Sequence, residues 1–444
     1  MAEKTKRKAA KIPFDWKRCA VASLPFMGMI SFWQIFDGLI PKMLTQTFGL
    51  SNWVTGIVMA LDNIFGLFLL PWFGIQSDHC RSRLGRRTPF ILVGSAFATV
   101  SVPLIAVANN QGNFIMLIAM ILVTLTAICA YRTATIAIVA DITPRPLRTK
   151  GDSVDKIVGY AGTGAMLVAI SILVPSVDHP DYVPVFLLQG IVIAGAAVAF
   201  KLLLNEPRAV EKMHEESYRM GIEEDKIDPS DDEDAAHERV SDPELLRSIA
   251  LLLGAVFFYY MSYNAMTTNI SRYASDFFSM RGGSYAVINI VTIVGALASY
   301  VPMANLSLKI GRKRVALVAG VVMAACPVVM WLYPTFTTGY YVLFLLMGAS
   351  LGTVDLCVYP MILENCSARS VGRYSGYYYT VSMAAQVVTP ILSGVIMDVA
   401  EAQLFLYIAI MGVLMCVFIA LARHGDSILA DEILQREAAA DRQA

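Results

Sequence analysis

Long apolar runs repeat along almost the whole chain, and nothing else in the sequence limits its possible folds as strongly. A hydrocarbon core about 30 Å thick takes about 20 helical residues to cross. Twelve runs of roughly that length are read at 17–40, 52–77, 88–108, 113–141, 152–175, 183–204, 245–277, 284–307, 315–334, 339–363, 373–397 and 403–423. This is the pattern of a polytopic membrane protein. Composition agrees: 56% of the 444 residues are hydrophobic and 16% charged, against about 45–50% and about 25% in soluble domains. The 35 basic and 35 acidic side chains cancel, which argues against a nucleic-acid binder with its basic excess. The apolar content excludes a disordered chain. The first run is too long for a signal-peptide core, so no cleaved signal is expected.

Orientation follows from Lys and Arg, which collect in cytoplasmic loops. Thirty of the 35 fall in the N-terminal arm, in every second loop and in the tail, whereas Lys42 and Arg281 lie on the opposite face, with Arg272 at the end of a span. Both termini are therefore expected in the cytoplasm, with the protein in the plasma or inner membrane. Residues 1–16 form a cytoplasmic arm, 17–204 a first six-helix bundle, 205–244 an acidic linker, 245–423 a second bundle and 424–444 a cytoplasmic tail. The linker holds 15 acids, including Asp231-Asp232-Glu233-Asp234, and reads as a solvated connection, with room for one interfacial helix, rather than a binding site. The seven Cys lie in spans or near the cytoplasmic face. Disulfides are not expected, no spacing suggests a metal site, and no cofactor is expected beyond a proton as coupling ion.

The halves repeat weakly, at an offset of 223–227 residues. Gly85-Arg86-Arg87 recurs as Gly311-Arg312-Lys313, Phe36-Asp37-Gly38 as Tyr263-Asn264-Ala265, and Asp62 finds Asn289 in its place. Arg132 and Asp141, nine apart, recur as Asp355 and Glu364. Two parallel halves of six spans resemble the plan of the major facilitator transporters, whose substrate site lies at mid-membrane between the halves. The expected fold is all-α: twelve transmembrane helices in two six-helix bundles related by a pseudo-two-fold.

Particular motifs narrow the resemblance. Leu61-Asp62-Asn63-Ile64, Pro71, Gly74, Ser77-Asp78 and Arg83-Leu84-Gly85-Arg86-Arg87-Thr88-Pro89-Phe90 resemble the second span and following loop of one branch of the glycoside–pentoside–hexuronide:cation symporters. That branch is the sucrose-transporter-like one, solute-carrier family 45 and its bacterial relatives. Ala140-Asp141-Ile142-Thr143-Pro144-Arg145-Pro146-Leu147-Arg148 is similar to the end of its fourth span, and Tyr263-Asn264-Ala265 with Ser271 and Tyr273 to its seventh. The resemblance implies proton-driven movement of sucrose, maltose or glucose. The paired acids that melibiose transporters carry for sodium fall here at Gly66 and Leu70, so a sodium site of that type is not expected.

Ionisable groups inside a membrane are costly and commonly face a cavity or a partner. Asp37, Asp62, Arg132 and Asp355 sit well inside spans. Arg132 and Asp355 are each nine residues inward from a span end, about 13 Å and close to the midplane. Opposite charges at equivalent places could pair across the pseudo-two-fold. They could serve only helix packing, or Asp355 could alternate between Arg132 and the substrate or a proton. Asp62 has no basic residue in its own span, a setting in which a carboxyl can load a proton on one side and lose it on the other; its alternative is packing with Asn63. Asp62, Arg132 and Asp355 are the proton-coupling candidates. Gln34, Asp37, Asn264, Asn289, Tyr359 and Gln386 offer the polar groups and flat faces that a mono- or disaccharide needs, though Asp37 could equally bind a cationic group or merely end its span. Asp78, Arg83, Arg86, Arg87, Asp141, Glu364 and Arg312 resemble a cytoplasmic gate whose charges part as the halves rock. Asp152 and Asp155 read as N-terminal carboxylates of span five. Gly159, Gly162 and Gly164 read as a close-packing face.

No GxxxxGK[ST] nucleotide loop or covalent-catalysis motif occurs, so an enzyme is not expected. Proton-coupled sugar symport by alternating access is the leading expectation, for a monomer in contact with lipid and with no nucleic-acid partner. Its rivals are a proton-coupled antiporter exporting a cationic or amphiphilic compound, and a transporter-like sensor that signals without turnover.

Overall fold

A computed structural model describes residues 14–144, 147–177, 180–219, 243–363 and 371–423. Glu364, the acidic run of the linker and the tail from His424 lie outside the described residues. Among those described, every regular element is helical. Eleven helices are long and apolar enough to cross a membrane, and one bent pair supplies a twelfth span. The solvent they meet is read from their sides. On the helix Thr88–Asn110, Ile91, Ser95, Ala98 and Val102 form the buried face, while Val93, Phe97 and Val100 are each more than half exposed. A helix apolar on both faces belongs in lipid.

The chain divides into two compact units, residues 1–48 with 64–228, and 49–63 with 229–444. The first unit contains α1 (Trp16–Ala22), α2 (Leu24–Lys42) and most of α3 (Asn52–His79), followed by α4 (Thr88–Asn110) and α5 (Phe114–Asp141). It continues with α6 (Arg148–Leu173), α7 (Val183–Leu203) and α8 (Glu206–Arg219). The first expected span is broken: α1 and α2 meet at 46°. Pro25 in the first turn of α2 has no N–H to continue the ladder, and the Ser23 hydroxyl donates to the Cys19 carbonyl across the bend. Beyond Pro41, α2 ends in a π-helical turn, Met43–Thr47. The helix α6 begins at Arg148, so Asp152 and Asp155 lie within its first turns rather than capping it. Asp152 pairs with Lys156 at 3.1 Å, and Asp155 is buried. Gly159 and Gly162 admit Phe26 and Met27 of α2, whereas Gly164 faces open space.

The second unit contains the first turns of α3 with α9 (Pro243–Asp276), α10 (Ala286–Ile310) and α11 (Arg312–Leu332). α12 (Gly339–Leu363), α13 (Val371–Val399) and α14 (Leu404–Leu421) complete it. Without a hydrophobic driving force in lipid, helices associate where small residues let backbones touch. A Cβ on Gly295 would collide with the Leu345 carbonyl, and one on Gly348 with that of Thr292, which seams α10 to α12. The start of α3 meets α13 in the same way, with Gly56 against Pro390 and Gly394 against Asn52. Asp398 caps that start: its two oxygens accept the N–H groups of Asn52 and Trp53 at 2.8 and 2.9 Å. Lys313 closes the far end of α14 by donating to the carbonyls of Ala420 and Ala422.

Candidate functional site

A charge cluster lies at the arginine-rich end of the first unit. Arg87 immediately precedes α4, Asp78 ends α3 and Asp141 ends α5, so three helix termini deliver three charges to one place. The Arg87 Nε donates to Asp141 at 2.8 Å, and its Nη2 meets Asp78 at 2.5 Å. Its Nη1 donates to the Ser77 hydroxyl. A planar guanidinium suits this task because its donors diverge in one plane. The Arg87 residue is only 7% exposed. Burial opposes its charge, but the hydrogen bond it donates to Asp141, reinforced by the charges of Asp141 and Asp78, outweighs burial and raises its pKa. Arg86 adds a second contact to Asp141 at 3.2 Å. Of the expected gate residues, Asp78, Arg86, Arg87 and Asp141 are therefore brought together. Arg83 is exposed in the loop, and Arg312 opens α11 in the other unit.

The cluster has a member that sequence reasoning missed. Glu206, counted among the solvated linker acids, is 2% exposed. Its Oε1 accepts the backbone N–H groups of Arg86 and Arg87, and its Oε2 those of Arg87 and Thr88 with the Thr88 hydroxyl. A carboxylate from a distant helix thus caps α4, where unpaired N–H groups and the helix dipole favour negative charge. Gly85, at φ +110°, makes room: a Cβ there would strike the Glu206 carboxylate. The rest of α8 is anchored too. Ala209 joins a buried cluster with Ala22, Ile91, Ile138 and Phe200. Arg18 grips Glu216 through two nitrogens, at 2.6 and 3.2 Å, and Lys212 reaches Asp15 at 2.9 Å. That hydrogen bond is the main reason the Asp15 carboxyl sits below its ordinary pKa.

Deeper in the first unit, the Arg132 guanidinium of α5 lies 5.9 Å from the centre of the Trp33 ring on α2, within cation–π reach. Asp37 is one helical turn beyond Trp33, so ring and carboxylate share a face of α2. Gln34 and Asp37 are half-buried.

In the second unit, Asp355 sits within electrostatic reach of Tyr259, Tyr260 and Tyr378. One turn along α12, Tyr359 packs at a tilt against Tyr378 with ring centres 4.8 Å apart, and its hydroxyl meets Ser375 at 3.0 Å. The hydroxyls of Tyr260 and Tyr378 lie 3.1 Å apart. Tyrosines of α9 and α13 therefore lie within electrostatic reach of one carboxylate on α12, and Tyr359 lies one turn along from it. Of Tyr377, Tyr378 and Tyr379, only Tyr378 is buried. Asn264 lies one turn beyond Tyr260 and is 8% exposed, and its side-chain oxygen has no hydrogen-bond partner. A buried acceptor left unsatisfied is uncommon and marks a place for a donor. Gln386 donates to the Ser382 carbonyl, and Asn289 is half-buried on α10. Asp62 accepts from the Asn63 side-chain amide at 2.6 Å. Near the C-terminal end of α9, Arg272 is 1% exposed and donates to Asn52 at 2.7 Å and to Asn269. Its only sequence signal was a cation at the end of an apolar run.

The chain matches the family model of the Major Facilitator Superfamily over residues 23–301 and 251–440, and it belongs to that superfamily. It is accordingly an integral membrane transporter rather than an enzyme. It is 40% identical over 94 residues to the sucrose transport protein SUC3 of Arabidopsis thaliana, covering 21% of this chain and 15% of that protein. It is 39% identical over 67 residues to the sucrose transport protein SUT3 of Oryza sativa subsp. indica, covering 15% and 13%. Both matches thus span less than a fifth of each plant protein. The fold is shared with the inward-open xylose transporter XylE from E. coli at TM-score 0.67 and 10% identity, covering 93% of this chain and 97% of that one. It is also shared with the POT family transporter PepTSo at TM-score 0.66 and 11% identity, covering 92% and 98%.

Proposed function

We propose that this protein is a proton-coupled sugar symporter of the sucrose, maltose or glucose class, working by alternating access. The observation that carries the reading is the Asp355 carboxylate among Tyr260, Tyr359 and Tyr378. Ring faces match the C–H faces of a sugar, and hydroxyl, amide and carboxylate groups match its hydroxyls. The unsatisfied oxygen of Asn264 adds an acceptor one turn away, and the similarity to sucrose transport proteins supports the substrate class. On this reading Gln34, Asp37, Asn289 and Gln386 contribute further sugar contacts. Asp62, Arg132 and Asp355 link proton occupancy to sugar occupancy. The cluster of Asp78, Arg86, Arg87 and Asp141 acts as a gate, with Arg83, Arg312 and Glu364 contributing. The protein works as a monomer in the plasma or inner membrane, both termini cytoplasmic, with no cofactor but the proton.

The test is uptake of labelled sucrose, maltose and glucose into proteoliposomes under an imposed inward proton gradient. Uptake of at least one sugar, abolished by a protonophore and lost in Asp355→Asn, is expected. Equal flux with and without the gradient removes proton coupling, and absence of sugar flux removes the substrate class. One rival has a specific observation behind it: a carboxylate beside aromatic rings also suits a cation. Expulsion of a cationic dye in exchange for protons, without sugar flux, is the outcome that would install it. Ligand binding without any flux would instead indicate a sensor.

A further inference from the structure

The arginine-rich end of the first unit contains a cavity of about 680 Å³, bounded by the ends of α3 and α5, the start of α6 and one face of α8. Its charged wall consists of Asp78, Arg81, Arg86, Asp141, Arg148 and Glu206. The acids there are already engaged. Glu206 is saturated by the backbone N–H groups at the start of α4, and Asp78 and Asp141 share the buried Arg87 behind the wall. The arginines are not so engaged: Arg81 and Arg148 are exposed. The Arg86 side chain is 50% exposed even while it touches Asp141. Three arginines therefore line a space of the size that takes small ligands. Their planar forks match phosphate oxygens two at a time.

We infer that this cavity binds a phosphate monoester through Arg81, Arg86 and Arg148. The group can arrive on a soluble sugar phosphate or on a lipid headgroup, and the recognition chemistry is the same. A bound phosphate competes with Asp141 for Arg86, which leaves Arg87 as the remaining arginine on that carboxylate. Occupancy thereby acts on the same helix ends that the Arg87 cluster joins. The inference holds whichever substrate is carried, because no residue of the Asp355 cluster takes part.

The experiment uses the purified full chain in nanodiscs of phosphatidylcholine, titrated calorimetrically with glucose 6-phosphate. A second arm compares the melting temperature in phosphatidylcholine nanodiscs with that in nanodiscs containing phosphatidic acid. Saturable binding in the first arm, weakened about tenfold or more by Arg81→Gln and by Arg148→Gln, is expected for a soluble ligand. Stabilisation in the second arm alone, lost in the same variants, assigns the phosphate to a lipid. Arg208→Gln removes the same charge from α8 outside the cavity and should change either readout less than twofold. Two results overturn the site: no response of the wild-type protein in either arm, or equal losses in Arg208→Gln and Arg148→Gln, which would indicate diffuse charge. The two cavity variants sit on different segments, so misfolding of one leaves the other to decide.

Discussion

Arg87 shows how much one residue can organise. Its guanidinium reaches Ser77, Asp78 and Asp141 from two other helices. An exposed ion pair contributes about 0–1 kcal/mol, whereas removing one partner of a buried pair costs about 3–5 kcal/mol. This cluster is intermediate, because the Asp78 side chain is 55% exposed while those of Arg87 and Asp141 are 8% and 18% exposed. Arg87→Gln is therefore expected to destabilise the protein by about 2 kcal/mol, seen as a lower melting temperature in detergent. Arg87→Lys should recover only part of it, because an ammonium cannot span the three acceptors. Equal stability of all three proteins would remove Arg87 from this role. The sequence showed the residue types of this cluster and their loop spacing; that Arg87 rather than Arg83 is the buried one followed from its place at the start of α4.

Among the elements, α8 departs furthest from its sequence reading. Its composition is that of a solvated helix, yet Glu206, Ala209, Met213 and Ser217 are buried at spacings of three and four. Glu206→Ala leaves the N–H groups of residues 86–88 without their acceptor in a buried place. It should cost about 1–3 kcal/mol. Glu206→Gln should recover little, since its amide nitrogen would face a donor. A melting curve unchanged by Glu206→Ala would show that the cap contributes nothing. The docking of α8 should also respond to acid. The folded-state pKa of Asp15 is lowered, chiefly by Lys212. The stability it contributes is then fully present above the ordinary aspartate value of about 3.9 and is lost as pH falls through the lower folded value. Denaturation midpoints between pH 7 and pH 3 should fall more steeply for wild type than for Lys212→Met at the acid end. Parallel curves would show that the pair does not stabilise α8.

For the whole molecule, orientation is the property that charge placement sets. Arg281→Cys should react with a membrane-impermeant maleimide in right-side-out vesicles, and Arg83→Cys only after permeabilisation; the reverse pattern would invert the topology. Twelve spans, an all-helical fold and the superfamily were legible in the sequence because lipid imposes a length and an apolarity that each span shows by itself. Some packing was legible for the same local reason: two of the three glycines on α6 do admit side chains of α2. The candidate site was legible only as residue types at depth. That Tyr260 and Tyr378 come within electrostatic reach of Asp355, that Tyr359 packs on Tyr378, that Trp33 lies against Arg132 and that Asp398 caps α3 were not. Those contacts join residues from different helices, and the rotation of each helix about its axis is set by packing, which a helix apolar on every side does not reveal. The sequence by itself thus determined the solvent, the number of spans and the class of protein, because those depend on one segment at a time. Only the tertiary structure decided which charges meet, which are spent and which remain available, because a hydrogen bond or an ion pair exists only where two segments are held within about 3 Å of each other.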